Sequence, residues 1–191
     1  YDPATRSWVA VSSLSAGREA PMSCRLRDGR VVLAGGAFQE EPLDLSPELV
    51  VESNNDFKLA STSVEGRLYF AMAEYRDGEV VLAGGQDVTT HPIARTQFVN
   101  VTTGVVQDGP DLNQKRYRNR GISLRYRGSQ SGFPYTVVVV GGDGSLGGGK
   151  ALSSIEYLEG SCSGSTELMS SASMLSLVGT ATGASAEQSV V

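Results

Sequence analysis

The stretch most similar to a catalytic motif is VVVVGGDGSLGGGKA, at residues 137–151. Gly144, Gly149 and Lys150 have the G-x-x-x-x-G-K spacing of a phosphate-binding loop, and they follow an apolar run typical of a β-strand. Two observations argue against phosphate chemistry. Ala151 stands where a serine or threonine hydroxyl would hold magnesium, and the same double glycine occurs twice earlier without such a loop. We therefore interpret the stretch as a connection between two strands.

The single histidine, His91, has a side chain suited to proton transfer or metal binding. It lies in the segment QDVTTHPIART, and no Ser-His-Asp order, carboxylate pair or metal cluster can be assigned around it. The two cysteines, Cys24 and Cys162, have no spacing that favours zinc or a disulfide framework. The sequence thus predicts no metal site and no cofactor. We interpret His91 as a surface or packed residue in a candidate binding loop.

Three arginines, Arg18, Arg67 and Arg116, recur at intervals of 49 residues. Guanidinium groups bind carboxylates through paired hydrogen bonds, so a ring of them would suit an acidic partner. In the alternative interpretation each arginine is structural and binds the backbone carbonyls of neighbouring loops. We favour the structural interpretation and keep the three arginines as candidate binding residues.

Two further segments contain candidate binding residues. The basic run KRYRNR at 115–120 includes Tyr117, and basic residues beside aromatic ones can bind nucleic acid. The net charge of −5 favours a solvated rim instead. The segment QEEPLDLSPE at 39–48 includes Glu40 and Glu41 and predicts an exposed acidic loop, where recognition often occurs.

The strands and turns that position these residues come from sequence segments that recur almost unchanged along the chain. DGRVVLAGG occupies residues 28–36, and DGEVVLAGG occupies residues 77–85. A third double glycine, Gly141-Gly142, ends YTVVVVGG and comes eight residues late, which an insertion at 127–135 explains. A catalytic motif is normally needed once, so the recurrence indicates an architectural repeat.

The sequence pattern of each unit predicts four short antiparallel strands. The Asp-Gly pairs predict tight hairpin turns between the first and second strands, and the continuous apolar letters of the second strand predict burial on both faces. The first strands are predicted at 22–27, 70–75 and 121–126, the third at 48–52, 96–101 and 153–158, and the fourth at 56–60, 105–107 and 165–169. Four such strands in 49 residues are typical of a β-propeller blade. The sequence therefore predicts an all-β propeller fold.

The segments YDPATRSW at 1–8 and LSAGREAPMSCRLRDGRVVLAGG at 14–36 resemble a kelch repeat of the bacterial and galactose-oxidase-like type. In that family a double glycine ends the second strand, a tyrosine closes the third and a tryptophan opens the fourth. The resemblance implies structural kelch positions at Tyr1, Trp8, Gly35, Gly36, Phe57, Gly84, Gly85, Gly141, Gly142 and Tyr157. Val50, Val99 and Val106 replace aromatic residues, so the later units are degenerate.

The resemblance also implies a ring of six or seven blades, which needs on the order of 300 residues. This sequence supplies about three blades: residues 1–12 match the third and fourth strands of one blade, and units follow at about 14–60, 63–109 and 112–169. The kelch portion is thus predicted over 1–160, and the Ser/Ala/Gly-rich tail at 161–191 is either a degenerate blade or a linker. We expect a fragment of a longer chain, with self-association of copies to close the ring as the alternative.

The composition of the chain argues against a nucleic-acid partner and against a membrane-spanning segment. The chain has 16 basic and 21 acidic residues, which argues against a nucleic-acid partner because such proteins need a basic face. No apolar run is long enough for a transmembrane segment. The abundance of serine and threonine, with few lysines, slightly favours a secreted or cell-surface location.

We expect a non-catalytic interaction module that presents a loop-built propeller face to a protein or glycan partner. Two alternatives stay open: a part of a galactose-oxidase-like or epimerase-like enzyme whose catalytic residues lie outside this segment, and a structural subunit of an extracellular assembly. Oxidases of the resembling family bind copper with two histidines and two tyrosines. One histidine cannot supply that set.

Overall fold

The computed structural model describes residues 2–8, 10, 13–14, 17–38, 44–45, 49–53, 56–61, 63–124, 136–145, 151–159 and 174–177. All regular structure within these ranges is β-strand, and they contain no helix of the length and apolarity needed to cross a membrane. Tyr1, Glu40, Glu41, the insertion at 127–135 and the predicted strand at 165–169 lie outside the described residues.

The described strands in chain order are β1 (Met22–Arg25), β2 (Val31–Ala34), β3 (Ala37–Phe38), β4 (Asp44–Leu45), β5 (Leu49–Ser53), β6 (Asp56–Ser61), β7 (Ala71–Arg76), β8 (Glu79–Ala83), β9 (Thr96–Asn100), β10 (Val106–Asp108), β11 (Arg120–Leu124), β12 (Thr136–Val140), β13 (Ile155–Glu159) and β14 (Met174–Leu177).

These strands form three four-stranded antiparallel sheets. The first sheet has the order β1-β2-β5-β6, the second β7-β8-β9-β10 and the third β11-β12-β13-β14. Each strand in a sheet pairs with the next one along the chain, except where the short β3–β4 pair is inserted between β2 and β5. The predicted all-β, antiparallel architecture of four-stranded units is confirmed.

The Asp-Gly turns fix the first hairpin of each of the first two sheets. The amide of Leu26 donates to the carbonyl of Arg30 at 2.7 Å, and the amide of Gly29 donates back to the carbonyl of Leu26 at 3.0 Å. The Asp28 carboxylate accepts from the Arg30 amide at 3.0 Å, as expected for an aspartate that stabilises a turn. Gly78 has a φ of +74°, which a glycine adopts without strain.

The sheets stack face to face, and the second sheet lies in the middle. One apolar core, which includes Val32, Phe70 and Leu82, lies between the first and second sheets. Another, which includes Ala73, Val81 and Val139, lies between the second and third. The apolar run in β8 is therefore buried on both faces, whereas β2 and β12 alternate between more and less buried residues. The outer sheets each have one face without a described neighbouring sheet.

Cys24 belongs to the packing between the first two sheets. Its side chain is partly buried against the first core, and burial, together with the nearby negative charge of Glu74, raises the pKa of its thiol to about 12. The thiol is therefore neutral at physiological pH. Because the thiolate is the reactive form, Cys24 is predicted to be inert.

Alkylation of a Cys162→Ser variant by iodoacetamide near pH 8 tests this prediction. A free cysteine with a pKa of about 8.5 is roughly a quarter ionised there, so Cys24 is expected to react about a thousandfold more slowly. The same variant in concentrated urea should react at the free rate. A folded-state rate within tenfold of the unfolded rate would contradict the burial of this thiol.

Candidate functional site

Two sets of connections meet at one end of the stack. The loops that enter the first strand of each sheet, at 17–21, 66–70 and 115–119, pair with the residues that follow the double glycines. The pairs are Glu19 with Ala37, Leu68 with Gln86 and Tyr117 with Asp143. We call this end of the molecule the loop end. It contains the described candidate residues Arg18, Arg67, Arg116, Tyr117 and His91.

The three repeated arginines make the same hydrogen bond in each unit. Each donates from Nη1 to the carbonyl of the first glycine in the double glycine of its own unit. The distances are 3.1 Å from Arg18 to Gly35, 3.2 Å from Arg67 to Gly84 and 2.9 Å from Arg116 to Gly141. The arginine that recurs in the sequence thus makes the same arginine–glycine hydrogen bond in all three units.

Arg116 is enclosed by its own unit. Its side chain is 0 % exposed, and Nη2 donates to Glu156 Oε1 at 2.6 Å and to Ser154 Oγ at 2.9 Å. Glu156 is 1 % exposed and also accepts from the backbone amide of Asn113 at 2.6 Å. This buried ion pair ties the loop at 113–116 to β13.

Arg67 has a corresponding environment in the second unit. Its Nη2 donates to Glu65 Oε2 at 2.9 Å and to Gln97 Oε1 at 3.2 Å, and its side chain is also 0 % exposed. Burial lowers the pKa of Arg67 to about 10, against the opposing effect of the Glu65 carboxylate, so the group stays charged at neutral pH. For Arg67 and Arg116 this geometry favours the structural interpretation, because their donors point into the protein.

The double glycines accommodate the arginine loop of the next unit. The amide of Gly36 donates to the carbonyl of Arg67 at 3.3 Å, and the amide of Gly85 donates to the carbonyl of Arg116 at 2.8 Å. A Cβ added at Gly84 would lie 2.6 Å from the Arg116 carbonyl oxygen, and Gly84 has a φ of +67°. A side chain would therefore collide with the backbone of the following unit, which explains why glycine is needed there.

One residue beside each arginine loop has a left-handed backbone although it is not glycine. Ala20, Tyr69 and Arg118 have φ values of 53°, 52° and 57°. They are again spaced by 49 residues. Such residues are uncommon, and their recurrence at one register marks a conformation that the fold imposes.

This conformation places Arg118 beside two tyrosines from adjacent units. Its backbone amide donates to the carbonyl of Tyr69 at 2.7 Å. Its guanidinium carbon lies 5.6 Å from the ring centre of Tyr69 and 5.3 Å from that of Tyr117, within range of cation–π attraction. Arg118 is exposed, whereas Tyr117 is buried. We call these three residues the Tyr69–Arg118–Tyr117 cluster.

His91 is exposed in a tightly held loop at the same end. Asp87 Oδ1 accepts from the Thr89 amide at 2.9 Å and from the His91 amide at 3.0 Å, and His91 Nδ1 lies 2.7 Å from Thr89 Oγ1. Partial burial would raise the pKa of Asp87, but these hydrogen bonds outweigh it and lower the pKa. The described residues contain no group of three His, Cys, Asp or Glu side chains that could hold a metal ion.

A cleft of about 330 Å³ lies at the opposite end of the stack, between the hairpin turns of the first two sheets. Glu74 borders it and accepts from the backbone amides of Arg27 at 2.9 Å and Gly78 at 3.3 Å. Burial raises the pKa of Glu74 despite these bonds. The charged side chains around it pair with one another, as Arg27 does with Asp77 at 3.4 Å. We interpret the cleft as a contact between units.

Comparison with known proteins supports the fold and leaves the function open. No protein-family model and no curated protein matches the chain. A solved structure of YjhT shares the fold, with a TM-score of 0.60 and 17 % sequence identity. The match covers 83 % of this chain and 48 % of that chain, so the present chain spans about half the length of the protein it matches.

The remaining predicted aromatic positions lie in three different parts of the fold. Trp8 follows an isolated bridge between Asp2 and Ser7 and is 85 % exposed, whereas Phe57 lies in β6 and Tyr157 in β13. Sequence reasoning included Tyr117 and the basic run but did not single out Tyr69 or Arg118. The signal that identifies them is their spacing of 49 residues, with each of them two places after a repeated arginine.

Proposed function

We propose that the chain is part of a kelch-type β-propeller and acts as a non-catalytic interaction module whose loop end binds an acidic protein or glycan partner. Three stacked four-stranded sheets, a 49-residue repeat with recurring double glycines and the fold shared with YjhT support the propeller. Each unit contributes two connections to the loop end, which is typical of a binding surface on a rigid scaffold.

The Tyr69–Arg118–Tyr117 cluster is the observation that carries the binding proposal. The guanidinium of Arg118 is exposed, yet its backbone is held by Tyr69 and its side chain lies against two rings. A side chain that is already positioned loses less conformational entropy when it binds. Its planar fork can donate two hydrogen bonds to one carboxylate or sulfate, which makes an acidic partner the best chemical match.

Binding of immobilised hexaglutamate and of a galacturonate hexamer tests the proposal. An Arg118→Ala variant is expected to bind the preferred probe about 10- to 100-fold more weakly, since a hydrogen bond to a charged group contributes about 1.5–3 kcal/mol. Its melting temperature should stay near that of the wild type, because the removed group is exposed. Preference for one probe identifies the partner as protein-like or glycan-like.

Lys58→Ala provides a control, because it removes an exposed positive charge from β6. That variant is expected to bind as the wild type does. Equal losses of affinity in both variants would show that binding depends only on the net charge of the protein. Failure of the wild type to bind either probe would overturn the acidic-partner proposal.

A further inference from the structure

The third sheet has an apolar face that is open to solvent. Ile122, Leu124, Val140 and Ile155 are 53 %, 47 %, 42 % and 40 % exposed. They share one face, because Arg120 pairs with Val140, Val140 pairs with Ile155, and Ile122 and Leu124 follow Arg120 at alternate positions in β11. The other face of this sheet carries the buried Val137, Val139 and Leu158. We call the open surface the trailing face of the third sheet.

The equivalent face of the second sheet is covered at the matching positions. Ala73 and Tyr75 precede Ile122 and Leu124 by 49 residues and are 4 % and 2 % exposed. They belong to the core between the second and third sheets. The trailing face of the third sheet therefore has the position and character of a surface that, one unit earlier, packs against a following sheet.

The first sheet is open on the opposite side. Val31 and Leu33 are only partly buried, whereas their equivalents Val80 and Leu82 are 0 % and 1 % exposed. Leu59 lies in the same cross-strand row as Leu33 and is 56 % exposed. We call this surface the leading face of the first sheet. It corresponds to the face by which the second sheet packs against the first.

The double glycines of the first two units are covered by the following unit, whereas the third double glycine has no following unit among the described residues. A Cβ at Gly35 or Gly84 would lie 2.6 Å from the carbonyl oxygen of Arg67 or Arg116 in the following unit. At Gly141, which has a similar φ of +64°, the nearest atom of the described residues to such a Cβ is the carbonyl oxygen of Leu152 at 3.8 Å. The third double glycine thus keeps the backbone that receives an arginine loop, in surroundings that leave room for one.

We infer that the trailing face of one copy docks against the leading face of a second copy, so that the loop containing Arg18 of the second copy lies on Gly141 and Gly142 of the first. This contact would repeat the one that joins each sheet to the next within the chain. Two such contacts would close a ring of six sheets around a two-fold axis, because head-to-tail interfaces form rings when their rotation closes.

Sedimentation or light scattering of the 191-residue chain over about 1–100 µM tests the inference. The expected species is a dimer with twice the mass of one chain. Ile122→Asp on the trailing face and Leu33→Asp on the leading face should each raise the dimer dissociation constant at least 100-fold. Val88→Asp is the control, because Val88 is 58 % exposed in the loop at 87–91 and lies on neither face.

Mixing the two face variants distinguishes this arrangement from other dimers. An Ile122→Asp copy keeps its leading face and a Leu33→Asp copy keeps its trailing face, so the mixture should form a heterodimer through one intact contact. A dimer that joins two trailing faces would instead leave Leu33→Asp dimeric by itself. That result would overturn the inference, as would a wild-type chain that stays monomeric or forms open-ended oligomers.

Gly141→Ala gives a second, conservative test. Within the described part of one copy the added methyl meets no atom closer than 3.8 Å, whereas in the dimer it would collide with the incoming arginine loop. We expect a dissociation constant raised at least tenfold. Gly78→Ala is the matched control, because its φ is +74° and its nearest neighbour lies 3.9 Å away. Equal dimerisation of the two alanine variants would overturn the placement of Arg18, independently of whether any acidic probe binds.

Discussion

Replacement of Arg116 by methionine is expected to lower the free energy of unfolding by about 3–5 kcal/mol. The substitution keeps much of the side-chain volume but leaves the Glu156 carboxylate buried without its cation, and a buried unpaired charge is strongly destabilising. It also removes the donors to the carbonyls of Gly141 and Ser154. Urea denaturation followed by circular dichroism measures the change.

Arg95→Met is the appropriate comparison, because Arg95 is also an arginine paired with a glutamate. Its Nη1 lies 3.3 Å from Glu65, but its side chain is 55 % exposed. Exposed pairs contribute about 1 kcal/mol or less, so this variant should unfold almost as the wild type does. Similar losses of stability in both variants would show that Arg116 and Glu156 are not enclosed as a buried pair.

Gly84→Ala is expected to destabilise the protein by about 3 kcal/mol or more. A left-handed backbone costs a residue with a Cβ about 1–2 kcal/mol, and the added methyl would lie 2.6 Å from the carbonyl oxygen of Arg116. That atom belongs to the backbone of the next unit, so the two units must move apart. For a chain of this size the melting temperature should fall by roughly 6–12 °C.

Gly78→Ala separates the cost of the left-handed backbone from the cost of the close contact between units. Its backbone is also left-handed, but among the described residues the atom nearest to the added methyl is Arg30 Nη2, at 3.9 Å. We expect only the conformational cost of about 1–2 kcal/mol. If the two glycines proved equally tolerant of alanine, the close contact between units at Gly84 would be refuted.

The strands were predictable because their signals are local. The Asp-Gly pairs and the apolar runs before the double glycines predict β1, β2, β7 and β8 to within one or two residues. The short β3–β4 pair was not predicted, because two-residue strands carry no periodicity. The fourth strand of the third sheet, β14, lies at 174–177, beyond a connection whose length the strand pattern does not encode.

The contacts at the loop end were less predictable, because they join distant residues. The spacing of Arg18, Arg67 and Arg116 indicated a common role. The environment of the buried Arg67 and Arg116 also depends on partners as far as 28 and 40 positions away. The Tyr69–Arg118–Tyr117 cluster forms only when adjacent units stack. Neither Tyr69 nor Arg118 belongs to a residue type that normally indicates a left-handed backbone.

The contact between successive units has a consequence for how such a chain can grow. At each described junction the amide of the second glycine in a double glycine donates to the backbone carbonyl of the arginine in the next unit, and each unit of the repeat carries both groups. A duplicated unit inserted between two others would find a matching donor on one side and a matching acceptor on the other. In this backbone contact the repeat is therefore compatible with copies of itself, so gene duplication can lengthen the array one whole unit at a time.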